Sequence, residues 1–308
     1  MRRYMPTKAD NKNFCQAFYK KAASGEEGVF MRIITLVENV TPGGPLGGAH
    51  GLSLYVETPK HRILFDAGPD GALLLKNAAA LGVDLSTVDI AVLSHGHQDH
   101  AGGLRAFMGN NTRATLYMHR EATRGHLSMG RDGAWNVIGV DSLLLKEHGD
   151  RIVFTDDGRE IDNELLLFSD VLTDDLIPAS NATLYEEGPD GPAPDAFGHE
   201  QNLLVRSDGK AVLFAGCAHR GIVNVLRRAE DILGHAPDHV LAGFHLTNPG
   251  RGTAEPEDFV HAVGAELSAR PDTVYITGHC TGLGPYTVLL DVLGRRLQYM
   301  SAGTVFEL

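Results

Sequence analysis

The sequence predicts an α/β protein made of two mixed halves, each a sheet with helices on its outer side. Short β-branched runs broken by Gly and Pro fall in two groups, at 32–37, 51–58, 62–68 and 88–96, and again at 202–207, 210–217, 238–246 and 272–279. Stretches of helical spacing separate them: Leu73, Leu74, Ala78 and Leu81 before Gly82, then 221–233 and 256–269. The halves echo each other, RILFDAG in one resembling AVLFAGC in the other, and IAVLSHGHQDHAGG resembling VYITGHCTGLG. The natural architecture for such a chain is a two-sheet sandwich with helices outside each sheet, four αββα layers in one domain.

Regular patterning starts at Met31 with MRIITLVENV, so 31–308 is the expected domain and 1–30 an expected leader or extension outside the core. Within the less regular 105–190 stretch, 124–139 is expected to form a mobile lid. A chain of 308 residues, 43% apolar and 21% charged, can bury a full core, which excludes disordered and fibrous classes. It carries 27 basic against 39 acidic side chains, net −12, with no Lys/Arg stripe to neutralise phosphates, so nucleic acid is not an expected partner. No apolar run has signal-peptide or membrane-spanning length, and Cys15, Cys217 and Cys280 form no disulfide framework. A cytoplasmic protein without a membrane partner is expected.

The chemistry is concentrated where the apolar strand Ile90-Ala91-Val92-Leu93 runs into Ser94-His95-Gly96-His97-Gln98-Asp99-His100. Alternate residues of an extended loop share a side, so His95, His97 and Asp99 can enter one cavity, with His100 turning in beside them. Neutral imidazoles suit zinc and other borderline first-row ions, and a carboxylate adds a hard oxygen ligand. An isolated histidine defaults to packing; four ligand-type side chains in six positions do not.

The segment HGHQDHAGGL resembles the HxHxDH signature of the metallo-β-lactamase-fold hydrolases. Ile63-Leu64-Phe65-Asp66-Ala67-Gly68 resembles their early strand-DxG element, and Thr277-Gly278-His279 their closing strand-GH element. HGLSLYVET, GCAHRGIVNVL, GFHL and TGHCTG resemble the branch that includes the dihydropterin-ribofuranosylaminobenzene phosphate synthase of methanopterin assembly. The resemblance implies two divalent ions, zinc first with manganese or iron as other candidates. His95 and His97 would hold one with His199 as third ligand, and Asp99, His100 and His279 the second. The family's bridging aspartate is missing: the strand ends in Gly216-Cys217-Ala218-His219. His219 is expected to ligate there and Cys217 to be a buried structural thiol. Asp66 is expected to anchor the metal loop, and His245 and His50 to contact substrate. His119, His126, His148, His235, His239 and His261 are expected to be ordinary surface or loop residues.

The implied activity is hydrolysis of a phosphate ester or another small anionic ester, with Asp99 as ligand and base and His245 as general acid or oxyanion donor. The alternatives are a synthase-like condensation, and a metal-binding sensor without catalysis. Oligomeric state is not legible.

Overall fold

The computed structural model describes residues 30–308. The expected leader therefore lies outside the described residues except for Phe30, whose N–H donates to the Leu308 carbonyl at 2.9 Å.

The strands are β1 (Arg32–Val37), β2 (Ser53–Glu57), β3 (Arg62–Phe65), β4 (Ile90–Leu93), β5 (Thr115–His119), β6 (His126–Met129), β7 (Trp135–Val137), β8 (Ile152–Thr155), β9 (Gly158–Glu160) and β10 (Leu165–Phe168). They continue with β11 (Leu184–Gly188), β12 (Gly191–Pro194), β13 (Asn202–Ser207), β14 (Lys210–Phe214), β15 (His239–Ala242), β16 (Thr247–Asn248), β17 (Thr253–Ala254), β18 (Val274–Thr277), β19 (Leu297–Tyr299) and β20 (Val305–Glu307). The helices are α1 (Gly71–Ala80), α2 (Gln98–Ala101), α3 (Leu104–Asn110), α4 (Ser142–His148), α5 (Ile222–Leu233), α6 (Glu257–Ser268) and α7 (Leu283–Leu293).

One sheet runs β20-β1-β2-β3-β4-β5-β8 and the other β9-β10-β13-β14-β15-β18-β19. Read in those orders, both have three antiparallel pairings followed by three parallel ones. The halves thus match strand for strand. RILFDAG and AVLFAGC are true counterparts, β3 and β14. The second echo is one strand out of step, because the counterpart of β4 is β15, leading to His245, whereas β18 answers β5. Short apolar strands ending in Gly and His resemble each other whichever pair is compared.

The period of two along each strand splits the core into three apolar layers. Ile90 and Val92 of β4 meet Val212 and Phe214 of β14 between the sheets. Ala91 and Leu93 instead face α1, α3 and α4 in a cluster with Leu74, Phe107 and Leu144. Leu213 and Ala215 face α5, α6 and α7 in a cluster with Leu226, Val263 and Leu289. This is the αββα sandwich the sequence predicts. Strand-end loops from both sheets meet at one edge, where the candidate site lies.

The 105–190 stretch is more ordered than its composition suggests: β5, β8, β9 and β10 join the main sheets. β6, β7 and β11, together with β12 at 191–194, form a third, four-stranded sheet over the site. The expected lid is the β6–β7 hairpin of that sheet. Arg131 near its turn donates to the Gly250 carbonyl at 2.6 Å, and Trp135 packs edge-on against Tyr185 at 4.9 Å between ring centroids.

Candidate metal centre

The loop after β4 carries His95, His97, Asp99 and His100; the turn after β14 carries Cys217 and His219; the segments after β15 and β18 carry His245 and His279. All of these except Asp99 are buried. Asp66, Ala218, His245 and His279 have φ between 47° and 57°, left-handed conformations that cost about 1–3 kcal/mol each. Each lies just past a strand end, so the sheets hold the backbone in turns that aim side chains inward. Gly216 is required by close approach, since a Cβ there would lie 2.1 Å from Ser94 Oγ.

Hydrogen bonds fix the tautomers of four imidazoles. The Ser94 hydroxyl lies 2.7 Å from Asp66 Oδ2. A carboxylate can only accept, so the hydroxyl donates to it and His95 Nδ1, 2.8 Å from Ser94 Oγ, must donate in turn. His100 Nδ1 donates to the same Asp66 oxygen at 2.7 Å. Asn39 Oδ1 is identified by accepting the Gly51 N–H, so His279 Nδ1, at 3.0 Å, donates to it. Asn181 Nδ2 donates to the His219 carbonyl, leaving its oxygen to accept from His219 Nδ1 at 2.9 Å. In the neutral form of each of these rings the lone pair is therefore on Nε2.

Those lone pairs face each other. His100 Nε2 lies 3.1 Å from His279 Nε2, and His95 Nε2 lies 3.3 Å from His219 Nε2. Two neutral acceptors at such a distance repel unless a proton or a metal ion lies between them. Four nitrogens at 2.0–2.1 Å from a tetrahedral ion are about 3.3–3.4 Å apart, so the spacing suits a metal ion. Asp99 Oδ2 approaches His279 Nε2 at 3.3 Å and His100 Nε2 at 3.6 Å. One donor atom each from Asp99, His100, Cys217 and His279 lie within 4.8 Å of one another, as do those of His95, Cys217 and His219, and of His95, His97 and Asp99. The donor set thus fits a metal centre.

Electrostatics agree. Burial, reinforced by neighbouring imidazoles, holds His95 and His219 well below the usual histidine range, so both are neutral. Burial raises Asp99, but His100, His279 and His50 outweigh it and keep the carboxyl well below its usual range. Burial lowers His100, yet Asp66 and Asp99 outweigh it and push it to about 9, so the two carboxylates favour positive charge at this ring, a proton that a metal ion would displace.

His199 lies among His97, His126 and Asp195. Its Nδ1 accepts the Gly96 N–H at 2.9 Å, so its hydrogen is on Nε2, which donates to Asp195 Oδ2 at 3.1 Å. Its donor atom groups with His97, His126 and Asp195 and not with His95. His126 corrects the surface reading given to it from sequence: it is fully buried, its Nδ1 3.3 Å from Asp195 Oδ2. His119 is also buried, its Nδ1 accepting the Glu121 N–H.

Other supporting residues carry no sequence signal. Glu200 accepts the backbone N–H of His219 at 2.7 Å and of Arg220 at 3.0 Å, and Glu38 accepts that of His279 at 2.5 Å. Burial pushes both carboxyls up to about 7. Asp66 plays the matching part for the β4 loop, accepting the Ser94 N–H at 2.7 Å as well as the two side chains above.

A cavity of about 430 Å³ opens onto the centre, walled by Met129 and Leu184 of the small sheet, Ile138 just past β7 and Asn248 of β16, with His245, Asp99 and Cys217 on its floor. No Lys or Arg is among the described residues that line it, and Trp135 is not among them. His245 is buried with both ring nitrogens lacking a hydrogen-bond partner, its ring 4.2 Å from that of His219. His50 Nε2 contacts Asp99 Oδ2 at 3.2 Å from the rim.

The sequence matches the metallo-beta-lactamase superfamily over residues 46–279. A 7,8-dihydropterin-6-methyl-4-(beta-D-ribofuranosyl)-aminobenzene-5'-phosphate synthase of Methanocaldococcus jannaschii is 26% identical over 90% of this chain and 96% of its own. An uncharacterized protein of the same organism is 27% identical over 78% of this chain and 87% of its own. Among solved structures, Tm1679, described as a metal-dependent hydrolase of the beta-lactamase superfamily, superposes with a TM-score of 0.74 at 25% identity, covering 90% of this chain and 99% of that one. YhfI from Bacillus subtilis superposes with a TM-score of 0.51 at 11% identity over 90% and 99%, a likeness of fold alone. The motif matched in sequence and the sandwich matched in structure agree, and the chain belongs to the metallo-beta-lactamase superfamily.

Proposed function

We propose that the protein is a metal-dependent hydrolase with a dinuclear centre, acting on a phosphate ester or other small anionic ester. The observation that carries the reading is the pair of opposed Nε2 lone pairs, His100 against His279 and His95 against His219. One ion falls to Asp99, His100 and His279, the other to His95 and His219 with His97 beside them; His199 serves His97 and the loop through Asp195. Zinc suits this nitrogen-rich set best. Two bound divalent ions would supply water activation near neutral pH and stabilise developing negative charge.

The chain's own residues do the rest. Asp99, ionised, orients the attacking water and takes its proton, and His50 lies within reach of the same carboxylate. His245, from the cavity floor, donates to the leaving group or the developing oxyanion. The apolar wall of Met129, Ile138 and Leu184 excludes water from the organic part of the substrate. With no Lys or Arg among the described residues of the cavity wall, an anionic group is recognised at the metal end.

The likeness to the synthase over nearly its whole length supports a second reading, condensation of a pterin pyrophosphate with an arylamine at the same centre. A panel of phosphodiester, phosphomonoester, lactone and thioester substrates, together with pterin pyrophosphate plus arylamine, separates the two. Chelator-sensitive hydrolysis of a phosphate ester is expected. Condensation without hydrolysis by the metal-loaded protein would replace the first reading with the second.

A further inference from the structure

We propose that Cys217, as a thiolate, is a ligand shared by both ions and makes the centre one for zinc or another thiophilic divalent ion, to the exclusion of magnesium and calcium. This rests on the dinuclear reading above.

Position is the first argument. Cys217 belongs both to the donor group of Asp99, His100 and His279 and to that of His95 and His219. Its sulfur lies 3.2 Å from His100 Nε2. The backbone enforces this placement. The chain leaves β14 through Gly216, whose missing side chain lets it pass against Ser94, and turns at Ala218 with φ 51°. Glu200 then holds the His219 N–H. Cys217 is thereby fixed between the loop after β4 and the turn carrying His219, and is buried there.

Charge is the second. The four imidazoles are neutral ligands and Asp99 is the only anion among the remaining donors of these two groups. Two divalent ions held by one carboxylate would leave a buried charge of +3 before any substrate or hydroxide enters; a thiolate lowers it and bridges both ions. As a neutral thiol, Cys217 could donate its single hydrogen to His100 Nε2 and would do nothing for the opposed pair of His95 and His219. Binding balances as thiol plus divalent ion giving metal thiolate plus one proton, released to solvent. Thiolate sulfur selects zinc and similar ions over hard oxygen-seeking ones.

The test uses the full chain, stripped of metal and titrated with Co²⁺, reading near-ultraviolet sulfur-to-cobalt absorption together with ions bound per chain. Wild type and Cys280→Ser are expected to show the absorption with two ions. Cys217→Ser is expected to lose it, to hold at least one ion about tenfold or more weakly, and to release one proton fewer on loading. Cys217→Asp should recover the second ion without the absorption. Cys217→Ser that keeps both ions and the absorption would overturn the assignment to Cys217. Should that variant fail to fold, X-ray absorption of the zinc-loaded wild type decides: a sulfur scatterer near 2.3 Å is expected, and a shell of nitrogen and oxygen alone overturns the proposal. A wild type that binds no metal would instead end the dinuclear reading, and this inference with it.

Discussion

Asp66→Asn is expected to leave the sandwich folded and yet to weaken metal binding by about 10–100-fold. Asp66 touches no substrate. Its Oδ2 accepts the Ser94 hydroxyl and His100 Nδ1, each at 2.7 Å, while Oδ1 accepts the Ser94 N–H. In the asparagine variant Oδ1 can still hold the Ser94 N–H, but the amide nitrogen then faces two donors. His100 resolves the clash by moving its hydrogen to Nε2, where a lone pair is needed, and Ser94 turns its hydroxyl toward His95 with the same consequence. Asp66→Ala removes the acceptor altogether and strands His100 in a dry site, a loss of about 3–5 kcal/mol in folding stability of the kind seen when one partner of a buried pair is deleted. The checks are metal affinity by competition with a chromophoric chelator and denaturant unfolding of both variants. An Asp66→Asn protein with wild-type metal affinity would refute the tautomer argument.

His279→Ala is expected to remove one ion per chain and bring hydrolysis down to the level of the chelated protein. The ring supplies a lone pair 3.1 Å from that of His100, and no other side chain among the described residues replaces it in that group. His199→Ala is expected to behave differently: both ions stay, and the cost appears in stability and in the placement of His97. Its Nε2 hydrogen goes to Asp195, a carboxylate that also receives His126 and lies 3.7 Å from His97 Nε2. Ions counted per chain by elemental analysis, beside initial rates, distinguish the two variants. Loss of an ion in His199→Ala equal to that in His279→Ala would return His199 to the ligand set that the family resemblance implies.

The strands and helices that carry clean periodicity are legible in the sequence to within a few residues, as at 32–37, 202–207 and 221–233 against β1, β13 and α5. The two strands lie in the main sheets, where continuous apolar runs are buried on both faces. The 105–190 stretch is not legible, because much of its small sheet is exposed and β7 and β12 show no buried face. The HxHxDH loop stands out because four of its six residues are metal-ligand side chains. Residues brought in from afar do not: Asp195 and Glu200 lie in ordinary acidic or loop sequence, and His126 is one histidine in a glycine-rich run. Their roles come from contacts such as His126 with Asp195, 69 residues apart, which no local pattern encodes. The tautomer of His199, set by the Gly96 N–H, is likewise not encoded by any local pattern.

The central claim is that the opposed imidazoles hold two divalent ions. Anomalous diffraction at the metal edge, from crystals of the full chain grown with zinc, tests it most directly. The account predicts two peaks per chain, one among Asp99, His100 and His279 and one between His95 and His219. A single peak, or peaks confined to the group of His97, His126, Asp195 and His199, would contradict it.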